Sequence, residues 1–325
     1  MLSALSKNAR KKRFLDHTYY EKWYNTEMFD NLPSLGCKIL QNEPLSAHSS
    51  FKIGGLADFF IEIPDENALI EFLKIAAENG VKYFILGGGT NVLFDDAGYR
   101  GAIVKLSGVF KNFEIKGEEI FSGSAASLPA ILKASAKNRL SGLECVSGIP
   151  GTVGGAVFGN AGKNADKKDD CIISAVKSVE IIKFDDFVKK ILKRDELPFS
   201  YRKSGLENCA ITKVNFLLKK EYRNDILKEI LESVKKRAQN QPLNVPSAGC
   251  IFKNPAGFSA GRLIDEACLK GRIIGGAKIS ETHANFIINN GGAKSKDVLE
   301  LISLAKKTVK EKFNIELDTE IKIVK

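Results

Sequence analysis

The chain has 325 residues, 44% hydrophobic and 27% charged, enough to bury more than one core and to predict two or three domains. Its net charge of +10 is spread over the polar faces of predicted helices, as at Lys306, Lys307, Lys310 and Lys312, which predicts solvated surface and no nucleic-acid partner. Six cysteines without a CxxC pair and only three histidines leave no basis for a metal site, a disulfide framework or a Ser-His-Asp hydrolase, and fit a reducing cytoplasmic setting.

Residues 1–35 are basic and aromatic, with Lys11, Lys12, Arg13, Tyr19, Tyr20 and Trp23, and read as an extension. They hold no apolar run of secretory length, and nothing downstream approaches a membrane span, so no membrane partner is expected. Residues 58–63 (DFFIEI) read as a strand ended by Pro64. Asp65 then caps a helix with Leu69, Phe72, Leu73 and Ala76 on one face and Gly80 as its stop. Residues 82–86 (KYFIL) complete a β-α-β unit, and Gly87, Gly88, Gly89, Thr90 and Asn91 lie just beyond its last strand. A second glycine concentration, residues 142–162, reads as a loop turned by Pro150. Strands are predicted at 175–184 and 210–218, then a helix over 225–237 with Ile226, Leu227, Ile230, Leu231 and Val234 on one face. The last third carries a helix over 296–313, capped by Ser295 and lined by Val298, Leu301, Ile302 and Ala305, and a short strand through Glu320 and Ile321. The fold class is α+β, with the main boundary near residue 220.

Glycine turns after strands let backbone N–H groups approach an anion that side chains would block, and two such turns suit a pyrophosphate. The first matches neither GxGxxG nor GxxxxGK[ST], so a Rossmann or P-loop assignment fails. Taken alone, three glycines are equally well a tight turn. The second loop shifts the reading towards a cofactor.

The segments 48–55 (HSSFKIGG), 86–91 (LGGGTN) and 147–156 (SGIPGTVGGA) with 160–162 (NAG) occur together and in order. They are followed by 200–202 (SYR), Arg237 with 241–242 (QP), 247–255 (SAGCIFKNP), 260–264 (AGRLI), 275–277 (GGA), 283–286 (HANF) and Glu320. On these residues the chain resembles, over about 46–325, the MurB family of UDP-N-acetylenolpyruvoylglucosamine reductases (UDP-N-acetylmuramate dehydrogenases). Its compact form, without the large extra loop of one branch, is similar to the shorter type II members. The resemblance implies an FAD-binding fold of the vanillyl-alcohol oxidase type, with two α+β subdomains at 36–108 and 109–219, and a substrate-binding domain at 220–325. It further implies noncovalent FAD, NADPH as electron donor and UDP-N-acetylglucosamine enolpyruvate as the group reduced, in peptidoglycan precursor synthesis by a monomer. His48 is then a turn or packing residue and not a flavin tether.

The cofactor residues so implied are Ile53, Gly54, Ala57, Leu86, Gly87, Gly88, Gly89, Thr90, Asn91, Ser147, Gly148, Ile149, Pro150, Gly151, Thr152, Gly154, Gly155, Ala156, Asn160, Ala161 and Gly162. Substrate contacts fall on Tyr201, Arg237, Lys253 and Asn254, with Arg237 near the diphosphate and Asn254 near the sugar or enolpyruvyl unit. The catalytic set is Arg202, Cys250 and Glu320. Arg202 offers a planar fork for the substrate carboxylate, and Glu320 a carboxyl that burial would keep protonated. Cys250 stands where many members carry serine, as the acid that protonates the enolate. Lys253 and Arg202 nearby would lower its pKa, and a thiolate cannot donate. Residues 163–170 (KNADKKDD) are more charged than the corresponding family loop and are expected to be mobile.

Overall fold

The structure, a computed structural model, describes residues 26–163, 170–221 and 225–325. Apart from its two ends, the charged segment at 163–170 lies outside the described residues, as do residues 1–25 of the extension.

The first unit holds β1 (Lys38–Pro44), β2 (Leu56–Ile63), α1 (Glu66–Asn79), β3 (Tyr83–Leu86), β4 (Val92–Phe94) and β5 (Tyr99–Leu106). Its sheet runs β1-β2-β5-β3, with β2 and β3 both parallel to β5, so the expected β-α-β unit forms with β5 inserted between its strands. Asp65 accepts a hydrogen bond from the Ala68 amide at 2.9 Å, Gly80 closes α1 at φ +63°, and Leu69, Phe72, Leu73 and Ala76 are all buried. Each expected signal of that helix is present. Phe29 and Leu32, from the stretch set apart as an extension, belong to the same core; the Phe29 ring lies edge-on to Phe59 at 5.1 Å.

The second unit continues with β6 (Phe113–Lys116), β7 (Glu119–Gly123), α2 (Leu128–Lys137), β8 (Leu140–Ser141), α3 (Val153–Phe158), β9 (Val176–Lys183), β10 (Lys189–Lys193), β11 (Cys209–Leu217) and β12 (Lys219–Lys220). Five of these strands form an antiparallel sheet, β10-β9-β11-β7-β6. The glycine-rich stretch read as a loop contains the helix α3. Thr152 caps it, its hydroxyl accepting from the Gly155 amide at 3.3 Å, and Val153, Ala156 and Val157 bury their side chains. Gly154 masks this helix in the sequence, because a Cβ there would lie 2.8 Å from Ser124 Cβ and only glycine lets the turn approach so closely.

The remainder comprises α4 (Asp225–Asn240), β13 (Ser247–Cys250), α5 (Ala260–Glu266), β14 (Ile273–Ile274), β15 (Ala277–Ile279), β16 (Phe286–Asn289), α6 (Ser295–Phe313) and β17 (Lys322–Val324). The sheet β13-β16-β15-β14 packs against α5 and α6 in a core that also takes Phe51, Ile53 and Leu93 from the first unit. Three expectations need correction here. The apolar face of α4 is only partly covered: Ile226 is buried and Ile230 packs on the second unit, but Leu227, Leu231 and Val234 stay exposed because the helix touches that unit along one strip. Ser295 does not cap α6 but lies inside it, bonding across to Asp96, while Asp297 accepts from the Lys294 amide at 3.0 Å. The last strand starts beyond Glu320, which sits between a Phe252–Thr319 bridge and β17, itself paired in parallel with β4. Among the described residues no helix is long and apolar enough to cross a membrane.

Candidate active site

The two glycine loops meet. A Cβ on Gly88 would lie 2.7 Å from Gly151 Cα and one on Gly87 2.9 Å from Thr152 Oγ1, so the loops run side by side only as glycine. Gly89, at φ +67°, turns against the His48 carbonyl, and Thr90 Oγ1 donates to Pro150 O at 3.5 Å. Of the expected cofactor residues, Gly88, Pro150 and Gly155 are exposed, while Gly87, Thr90, Asn91, Gly148, Ile149, Gly151, Thr152, Gly154 and Ala161 keep partial exposure. Leu86, Gly89 and Ala156 are buried. Ala57 and Ser147 have 0% exposure, and Ile53 is buried in the C-terminal core. Gly54, at φ +138°, admits the backbone against Phe94, where a Cβ would fall 2.7 Å from Phe94 Cβ. Ser124 was not anticipated, because no motif contains it. Its hydroxyl is buried beside Gly154 with no hydrogen-bond partner among the described residues, and Asn160 Oδ1 is orphaned likewise.

Beside these loops the structure gathers Arg202, Arg237, Cys250 and Glu320. Arg202 adopts φ +53°, a left-handed conformation that costs a non-glycine residue about 1–2 kcal/mol. That turn lets Nη1 donate to Asn160 O at 3.2 Å and Nη2 to Gly162 O at 2.9 Å. Nε lies 3.2 Å from Glu320 Oε1, an ion pair whose N–H is not aimed at the oxygen. Part of the fork expected for a carboxylate is therefore held by main-chain carbonyls. Burial pushes the Glu320 carboxyl above its ordinary value, and the Arg202 and Lys253 charges only partly offset this.

Cys250 ends β13, and burial, with Glu320 adding to it, pushes its thiol up to about 12 against the opposing pull of Arg202 and Arg237. The expected thiolate hazard does not arise. Lys253 acts on Glu320 instead. Arg237 projects from α4 and donates from Nη1 to Ser147 O at 3.1 Å, next to Gly148, so it sits against the second loop; burial lowers its pKa from the ordinary value. Tyr201 lies 5.3 Å below the Arg202 guanidinium, and its hydroxyl, whose pKa burial raises, accepts from the Asn254 amide at 3.0 Å. Asn254 Oδ1 accepts from the Ala260 amide at 3.0 Å, and Lys253 N donates to Asp318 O at 2.8 Å.

Two framework residues stood inside the motifs without being singled out. Ser50 Oγ donates to Ser247 O at 2.7 Å and its amide donates to Gly89 O at 2.9 Å, tying the first loop to β13. Asn285 accepts from the Phe252 amide at 2.9 Å and donates to its carbonyl at 2.8 Å. His48 stacks on Phe60 at 3.9 Å with Nε2 2.8 Å from Glu43, a packing role. A cavity of about 1010 Å³ adjoins the site through Asn160, Ser200 and Tyr201, but Cys250, Arg237 and Glu320 do not line it. Among the described residues no group of His, Cys, Asp and Glu could hold a metal ion.

An α+β scaffold that closes two glycine loops beside a thiol, a carboxyl and two guanidiniums is that of an FAD-binding oxidoreductase, and a family profile described as "FAD binding domain" matches residues 57–186. A second profile, for the C-terminal domain of UDP-N-acetylenolpyruvoylglucosamine reductase, matches residues 241–324. The chain belongs to the UDP-N-acetylenolpyruvoylglucosamine reductase family. It is 42% identical over 291 residues to the reductase of Bacillus licheniformis, covering 88% of this chain and 94% of that protein. It is 40% identical over 305 residues to that of Fervidobacterium nodosum, covering 92% and 96%. The crystal structure of the Thermus caldophilus reductase (MurB) matches with a TM-score of 0.75 at 35% identity, covering 89% of this chain and 99% of that one.

Proposed function

We propose that the protein reduces UDP-N-acetylglucosamine enolpyruvate to UDP-N-acetylmuramate with NADPH through noncovalent FAD, in peptidoglycan precursor synthesis, as a cytoplasmic monomer. The names of its relatives, reductases of UDP-N-acetylenolpyruvoylglucosamine, support the reaction. The observation that carries it is the cluster of Arg202, Cys250 and Glu320 beside the paired glycine loops. The residues fit FAD: the loops offer a glycine-only cradle, and Ser124 Oγ and Asn160 Oδ1 are buried polar atoms without hydrogen-bond partners among the described residues. We assign 36–108 and 109–219 to its two subdomains and 220–325 to the substrate domain, with α4 lying back on the second subdomain.

FAD, when bound, accepts and delivers hydride. Reduction at the terminal enolpyruvyl carbon leaves negative charge shared between the neighbouring carbon and the carboxylate, which the site must stabilise and then quench. Arg202, through the N–H groups not taken by Asn160 O and Gly162 O, would pair with that carboxylate. A substrate carboxylate at Arg202 would compete with Glu320 for the guanidinium and so raise the Glu320 pKa further, which favours a hydrogen bond from Glu320 to the developing enolate oxygen without net transfer of its proton. Cys250, fully protonated at working pH, supplies the proton to carbon. Arg237, beside Cys250 and Arg202, offsets the charge left on sulfur.

Anaerobic spectrophotometry tests this reading. The flavin-loaded protein is expected to bleach with NADPH and to recover its colour with one equivalent of the enolpyruvyl sugar. Recovery with oxygen but not with the sugar would point to an oxidase on the same scaffold and sink the proposal.

A further inference from the structure

Glu320 has no regular element of its own to hold it. Its amide donates to Ile251 O at 2.8 Å, one residue beyond Cys250. Its carbonyl accepts from Asn91 Nδ2 at 3.3 Å, and the Lys322 amide donates to Asn91 O at 3.0 Å. Asn91 is therefore joined to residues 320 and 322 through both its side chain and its main chain, across more than two hundred residues of sequence. From there β17 runs in parallel register with β4, Lys322 opposite Val92 and Val324 opposite Phe94, and the Asp95 amide donates to Val324 O at 3.0 Å. Asn91 also ends the first glycine loop, whose Gly88 lies against Gly151 of the second.

We propose that Asn91 is a positioning residue for Glu320: it pins the residue's main chain from the cofactor-loop side while Ile251 pins it from the Cys250 side. With both backbone groups taken by different units, the direction of the carboxyl is set by the meeting of the first glycine loop and β13. The inference rests on the reaction proposed above and assigns to Asn91 a task separate from contact with the cofactor. The charged and titratable groups facing Glu320 are Arg202, Lys253, Cys250 and Tyr201, and a displaced carboxyl would exchange their fields and its burial for solvent.

Asn91→Asp keeps the side-chain size and sets an acceptor against the Glu320 carbonyl; Asn91→Ala removes the donor. In the flavin-free protein, amide exchange across residues 320–324 is expected to accelerate in both variants. In the loaded protein, the rate of flavin reoxidation by the enolpyruvyl sugar, divided by the rate of reduction by NADPH, is expected to fall about tenfold, the scale of a small misplacement of a reacting group. The alkaline limb of reoxidation should move to lower pH as Glu320 meets more water, and Asn91→Ala should add little in a Glu320→Gln background. Unaltered exchange at 320–324, or equal slowing of both half-reactions with loss of flavin, would show Asn91 to be a cofactor contact only and overturn the assignment. If the unmodified protein is not reoxidised by the sugar at all, the proposed reaction fails, and the exchange measurement alone supports or overturns the anchor.

Discussion

Cys250 carries the sharpest chemical consequence at the level of single residues. With its thiol pushed up to about 12, the protonated form persists through the whole range in which the enzyme can work, so Cys250 cannot limit the rate by titrating. Cys250→Ala is expected to slow reoxidation by the enolpyruvyl sugar by about 10²- to 10⁴-fold, the usual worth of a positioned acid, with Cys250→Ser close to the parent. Rapid-mixing kinetics decides, and an alanine variant that reoxidises normally removes the acid role. Thiol reactivity gives an independent check: iodoacetamide at pH 8 is expected to modify exposed Cys268 well before Cys250. The identity of these residues was readable because each stood in an ordered motif. Their protonation was not, because the balance at Cys250 depends on burial and then on Glu320 and Arg202, both distant in sequence, and not on its neighbour Lys253.

Single elements show why some parts of the fold were legible and others hidden. In α1 the cap, apolar stripe and glycine stop all lie within residues 65–80, so local chemistry specifies the helix. In α3 the same logic was concealed, because its glycines are there for closeness to Ser124 and to the first loop and not for a turn. The apolar stripe of α4 was equally plain, but periodicity cannot say what covers a face, and part of it stays uncovered. Two glycine variants separate local from long-range demand. Gly80→Ala, at φ +63° with open space around it, is expected to cost about 1 kcal/mol and leave flavin content intact. Gly88→Ala would put a methyl 2.7 Å from Gly151 Cα, backbone against backbone, and is expected to force the loops apart and weaken FAD binding by at least about tenfold. Flavin titration of the two purified variants measures the contrast, and equal affinity would mean that the paired loops are not the cofactor cradle.

Polar joints hold the units of the whole molecule in register, and each crosses a distance that no local pattern in the sequence announces. Asp96 accepts from Ser295 N and Oγ, both at 2.9 Å, and from Lys296 N at 3.3 Å, so a loop of the first unit caps α6 of the last. Asp96→Ala is expected to cost about 1 kcal/mol, the usual worth of a cap, and to lower the melting temperature by roughly 2–4 °C in a protein of this size. A melting temperature equal to the parent's would show that Asp297 caps α6 unaided. The second joint links the first two units. Glu66 at the start of α1 pairs with Lys189 of β10 at 2.8 Å and with Lys213 of β11, and both lysines also approach Glu180 of β9. Burial alone would raise the Glu66 pKa, but these lysines overcome it and hold the carboxyl at about 2. Because the folded value lies below the ordinary 4.5, the contribution to stability is complete above that pH and disappears as pH falls towards 2. The lysines are about half exposed, so the effect is modest and screened by salt. Glu66→Gln is therefore expected to lower the melting temperature by roughly 1–3 °C at pH 7 in low salt. The gap should close between pH 4.5 and 2, and also in molar salt at neutral pH; calorimetry that finds it constant across both series would mean that the four charges do not join the two units.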